Sequence, residues 1–87
     1  MTINPHMIEA RRYTREVAAM CSKLGRAAPD LDVRRALFIR AVCARALHAH
    51  LAQGPVAVPL SPGAARRAAE RAFPFGIPSA VSAALSL

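Results

Sequence analysis

Arg11, Arg12 and Arg15 in one stretch and Arg66, Arg67 and Arg71 in another are the side chains best suited to a chemistry, and that chemistry is anion recognition. A guanidinium keeps its charge at any physiological pH and offers a planar fork of donors matched to carboxylate or phosphate oxygens. At 100° per residue, Arg11, Arg12, Arg15, Lys23 and Arg26 share one side of a first helix, with Ile8 among them and Glu9 and Glu16 at the edge. Arg66, Arg67 and Arg71 share a side of a later helix with Glu70. Such faces also arise because the solvent side of an amphipathic helix must be charged. Phe73 and Phe75, beside the second arginine group, are candidate aromatic anchors, the residue type that carries protein interfaces together with Arg.

Other chemistries find less. His48 and His50 are two residues apart and point about 200° from each other on a helix, so they cannot hold one ion together. Cys43 and His50 share a face, and Cys21 could join them from an antiparallel neighbour, but the spacing matches no zinc pattern. Both cysteines read as reduced, small apolar residues. A Cys–His nucleophile would need an orienting third group and an oxyanion site, and the acids are few: Glu9, Glu16, Asp30, Asp32 and Glu70. The glycines stand singly at 25, 54, 63 and 76, so no phosphate-cradling loop exists. No cofactor, metal or small-molecule substrate is expected, and the chain reads as non-enzymatic.

The elements that must position the arginines are all helices. Asn4-Pro5 is a cap followed by proline at the first helical position, opening a helix over about 5–25 with Gly25 at its end. Ala10, Tyr13, Val17, Met20, Cys21 and Leu24 form its apolar side. Asp30 or Asp32 can cap a second helix over about 31–52, halted by Gly54-Pro55. On that helix Val33, Leu37, Phe38, Ile39, Val42, Cys43, Leu47 and Leu51 surround most of the circumference. Only Arg34, Ala41, Arg45, His48 and Ala52 make a stripe without large apolar groups. A helix apolar nearly all round is buried on several sides, which places it at the centre, and a chain this short needs a second subunit to cover it.

Residues 54–60 read as an extended, proline-rich connector. Ser61-Pro62 repeats the capping signal for a third helix over about 62–73, with Ala65, Ala68, Ala69 and Ala72 as its packing face. Ser79 is positioned to cap a short fourth helix over about 79–86, with Val81, Ala84 and Leu85 inward. The expected fold is therefore a single all-α domain, residues 1–87: a small bundle of two long and two short helices, the second central.

Composition bounds the partners. The 87 residues carry a formal net charge of +7, and 54% are hydrophobic, so the chain is a folded domain rather than a basic tail. That charge favours acidic partners. No bilayer-spanning run or signal peptide is evident, and a cytoplasmic, homodimeric protein is the expectation. Two functions fit: an adaptor or inhibitor, of the size that mobile elements encode, engaging an acidic protein surface; or a DNA-binding regulator using the arginine faces of the first and third helices. Either uses Arg11, Arg12, Arg15, Lys23, Arg26, Arg66, Arg67, Arg71 and Phe75.

Overall fold

The computed structural model describes residues 4–52 and 60–87 and holds four helices: α1 (Pro5–Ala27), α2 (Leu31–Ala52), α3 (Pro62–Ala72) and α4 (Ser79–Ala84). Local chemistry starts three of them. Asn4 Oδ1 accepts from the His6 N–H at 2.9 Å, with Pro5 at the first position of α1. Asp30 caps α2, its Oδ1 accepting from the N–H groups of Asp32 at 2.8 Å and Val33 at 3.2 Å. Ser61 Oγ accepts from the Ala64 N–H at 3.2 Å ahead of α3. Each bond satisfies a donor that the helix itself leaves free. α4 differs from expectation. Ser79 is its first residue rather than its cap, no side chain caps it, and it ends at Ala84. Six residues nucleate poorly alone, so its support is tertiary: Val81 is buried against the core, with Ala84 and Leu85 packed beside it.

Side-chain bonds define the packing. α1 and α2 form an antiparallel pair, tied by Arg34 to Ala28, Arg45 to Ser22, His48 to Thr14 and Arg11 to Leu51. α3 lies antiparallel to α2, with Arg40 bonded to Ala72 near one end and Leu60 to His50 near the other. α4 packs on α1. α2 thus touches both α1 and α3, and the core gathers Ala10, Ala18, Ala44, Leu47, Leu51, Ala69, Ala72, Phe73 and Val81. The domain is elongated, 47 × 27 × 21 Å. Among the described residues no helix is long and apolar enough to cross a membrane. The connector expected over 54–60 lies outside the described residues except for Leu60.

Three features depart from the sequence reading. First, α1 does not stop at Gly25 but runs on to Ala27, because Gly25 serves packing. A Cβ there would sit 3.0 Å from Cε1 and 3.1 Å from Cδ1 of Phe38, so the missing side chain seats that ring. Phe38 is 38% exposed and has room to turn, and alanine gains about 1 kcal/mol of helix propensity, so Gly25→Ala should fall within about 1 kcal/mol of neutral. Gly25→Val should cost about 1–3 kcal/mol by forcing the ring away, as chemical denaturation would show.

Second, the buried stripe of α1 consists of small residues: Ala10, Thr14, Ala18, Cys21, Ser22 and Gly25. Met20 and Leu24, expected inward, are 45% and 49% exposed. Small residues let the α2 backbone approach closely. The Thr14 hydroxyl donates back to the Ala10 carbonyl at 3.0 Å and so costs nothing in burial.

Third, α2 is central but less enclosed than its all-round apolar character led one to expect. The stripe free of large apolar groups is the one that meets α1: Ala41 is fully buried, and Arg34, Arg45 and His48 all bond across to α1 or its end. Its large apolar residues are divided. Leu47 and Leu51 enter the core, while Leu31, Val33, Phe38, Ile39 and Val42 stay between 38% and 59% exposed. Phe73, expected as a surface aromatic, is buried.

Candidate functional site

The arginines separate into two populations once their partners are known. Arg34 donates through Nε and Nη2 to the Ala28 carbonyl at 3.2 and 2.8 Å, just past the end of α1. Arg11 Nε donates to the Leu51 carbonyl at 3.0 Å, in the last turn of α2. Arg40 Nε donates to the Ala72 carbonyl at 2.7 Å, the last residue of α3. Carbonyls at a helix C-terminus have no partner within the helix and carry the negative end of its dipole, so a guanidinium from a neighbouring helix satisfies both. Arg45, bonded to Ser22 Oγ, is likewise held between helices. The sequence set Arg34 and Arg45 on the stripe of α2 without large apolar groups but gave none of Arg34, Arg40 and Arg45 a role. The readable signal was the placement of arginines on an otherwise apolar helix, where a charge needs a partner.

Arg12 and Arg15 face outward, and with Arg11, Ile8 and His48 they converge on an open groove of about 310 Å³ between α1 and the C-terminal half of α2. His48 fixes the groove wall. Its Nδ1 lies 3.1 Å from the Arg11 carbonyl and 3.3 Å from Thr14 Oγ1, and the Thr14 proton is already given to a carbonyl. The Nδ1 therefore carries the hydrogen and donates. Among the described residues Arg11 bonds α2 through Nε alone, and its two terminal amino groups are turned to the groove.

Arg12 is shared: it bonds Glu9 at 2.6 Å, lies 3.6 Å from Glu16 and sits 5.1 Å over the Tyr13 ring. The hydrogen bond to Glu9 and then the charges of Glu9 and Glu16 hold its guanidinium above the ordinary pKa. Arg15 has no acidic partner among the described residues. Ile8, half-exposed, adds an apolar contact to a basic site.

The remaining residues expected to act with these do not join them. Lys23 and Arg26 lie two to three turns further along α1, roughly 12–16 Å from Arg15 at 1.5 Å per residue. Arg66, Arg67 and Arg71 are on α3, which packs on α2 and has no principal contact with α1. Arg66 lines a second hollow of about 300 Å³ with Pro62, Gly63, Ser86 and Leu87, and its Nε is 4.0 Å from Glu70. Phe75 is 96% exposed, in the turn closed by the Gly76 N–H donating to the Phe73 carbonyl at 3.1 Å. Gly76 takes φ +133°, a conformation that side chains rarely adopt.

His48 and His50 face different neighbours, α1 and Leu60. Among the described residues no three His, Cys, Asp or Glu side chains gather as metal ligands would, and both cysteines are free thiols. No protein-family model, no curated protein and no solved structure matches the chain.

Proposed function

We propose that this protein is a non-enzymatic binding module that takes an acidic segment of a protein partner into the groove of Arg11, Arg12, Arg15, His48 and Ile8. The observation that carries this reading is the company the arginines keep. One arginine of each basic face is paired with acid, Arg12 with Glu9 and Glu16 and Arg66 with Glu70. A phosphate backbone repeats its charge along its whole length and is best met by an unbroken basic track. Interspersed Glu residues repel it at each step. A protein surface presents isolated carboxylates among apolar groups, and a mixed surface of Arg and exposed aliphatic side chains fits that pattern. Half-exposed Ile8 at the groove supports the same choice. Arg11 contributes the terminal amino groups left over from its bond to α2, and Arg15 contributes a whole guanidinium.

Binding to a fluorescein-labelled peptide that spaces glutamates with leucine and alanine, and to a random-sequence DNA duplex, measured by anisotropy at about 50 and 200 mM salt, separates the two partner classes. The peptide should bind, and the double change Arg12→Glu, Arg15→Glu should weaken it at least tenfold, while Arg66→Ala, Arg67→Ala leaves it within about twofold. Micromolar binding of the duplex that collapses with salt and is weakened by Arg66→Ala, Arg67→Ala would replace this reading with a DNA-binding regulator acting through α3.

A further inference from the structure

The outward side of α2 repeats with the spacing of a helix–helix seam. Asp32, Arg35, Ile39, Val42, Ala46 and Ala49 alternate by three and four residues, the period that keeps one stripe facing a partner helix. Ile39 and Val42, at its middle, are 55% and 59% exposed, and Leu31 and Phe38 flank it at 57% and 38%. Neither α1 nor α3 covers this stripe. α1 takes the side of Arg34, Ala41, Arg45 and His48, and α3 takes the side of Arg40, Leu47 and Leu51.

We propose that two copies of the chain pair through antiparallel α2 helices along this seam, with a two-fold axis passing between Arg40 and Ala41. The seam is self-complementary about that axis. Ile39 meets Val42 of the second copy, and Val42 meets its Ile39. Arg35, with its long stem, lies over the small Ala46 of the second copy, and Asp32 reaches Ala49 and the neighbouring His50. Among the six seam residues, the large ones meet in the centre, each polar side chain meets an alanine, and no like charges are opposed. The acidic first turn of one helix comes to the last turn of the other, which also sets the two helix dipoles antiparallel, a favourable arrangement. His50 Nδ1 accepts from the Leu60 N–H at 3.1 Å, so the neutral ring carries its proton on Nε2, a donor for the Asp32 carboxylate of the second copy.

Charge complementarity argues for the same occupant: the acidic first turn of one α2 faces the histidine-bearing last turn of the other. A second copy of α2 is at hand at every concentration of the protein and fits the stripe residue for residue.

Sedimentation equilibrium of the full chain between about 1 and 200 µM tests this. The mass should be twice 9.3 kDa over the upper part of that range. Val42→Glu and Ile39→Glu, at positions already in solvent, should each give the single-chain mass throughout while circular dichroism stays helical. Should either lose its helix, Ala49→Glu on the last turn must produce the same dissociation. Phe75→Glu, off the seam, should leave the dimer intact. A single-chain mass up to 200 µM, or a dimer that survives these α2 changes, overturns the proposal; in the first case the stripe is left for a different protein.

Discussion

Leu47→Ala should remove about 2–5 kcal/mol of folding stability, the cost of deleting a fully buried leucine side chain and leaving its space partly empty. Leu47 has no exposed surface and belongs to the cluster that joins α1, α2, α3 and α4. A domain of this size holds roughly 5–10 kcal/mol in total, and each kcal/mol moves the midpoint by about 4–8 °C, so a drop of roughly 8–40 °C is expected in thermal denaturation. The comparison must be made at one protein concentration, because pairing of chains would stabilise the folded state by mass action.

Val42→Ala is the control. Five residues earlier on the same helix, Val42 points about 140° away from Leu47 and is 59% exposed, so in the protomer its truncation should cost well under 1 kcal/mol. If Val42→Ala proved as damaging as Leu47→Ala in dilute, monomeric protein, α2 would be rotated about its axis from the orientation described, and the outward seam would be lost with it.

Arg40→Ala should be the largest loss among the arginines, about 1.5–3 kcal/mol, because a charged donor is removed from a carbonyl that the helix cannot satisfy. Arg40 Nε lies 2.7 Å from the Ala72 carbonyl, at the point where α3 ends and buried Phe73 enters the core. Without it that carbonyl loses its partner, and the C-terminal end of α3 loses its attachment to α2. Arg40→Lys keeps the charge but not the fixed planar donor, so it should recover only part of the loss. Arg67→Ala, on the exposed side of α3, should stay within about 0.5 kcal/mol. Urea denaturation of the three variants reads the difference directly. Equal, small effects at Arg40 and Arg67 would mean that the inter-helix caps contribute nothing to stability.

Much of the architecture was legible along the chain. Caps and prolines act over three or four residues, so Asn4-Pro5, Asp30 and Ser61-Pro62 announce α1, α2 and α3 without reference to anything distant. Alanine at 65, 69 and 72 announces a close-packed face for the same reason, and α2 was expected over 31–52, as it is found. The basic side of α1 was legible as well, since Arg11, Arg12 and Arg15 lie within a little over one turn.

What the chain alone did not reveal depends on contacts between residues far apart in sequence. α2 has apolar side chains nearly all round, so hydrophobic periodicity could not say which side faces α1. Complementarity decided it, the small stripe of α1 meeting the small and polar stripe of α2 that runs from Arg34 through Ala41 to His48. The same packing divided the arginines. Arg11 and Arg40 each end on a carbonyl 40 and 32 residues away, so nothing local distinguishes them from Arg15 or Arg67, which remain in solvent. Local capping and periodicity determined that this protein is helical and where its helices begin. Close approach of backbones, allowed by small residues and fixed by guanidinium bonds between helix ends, decided which apolar side and which charges were left facing outward.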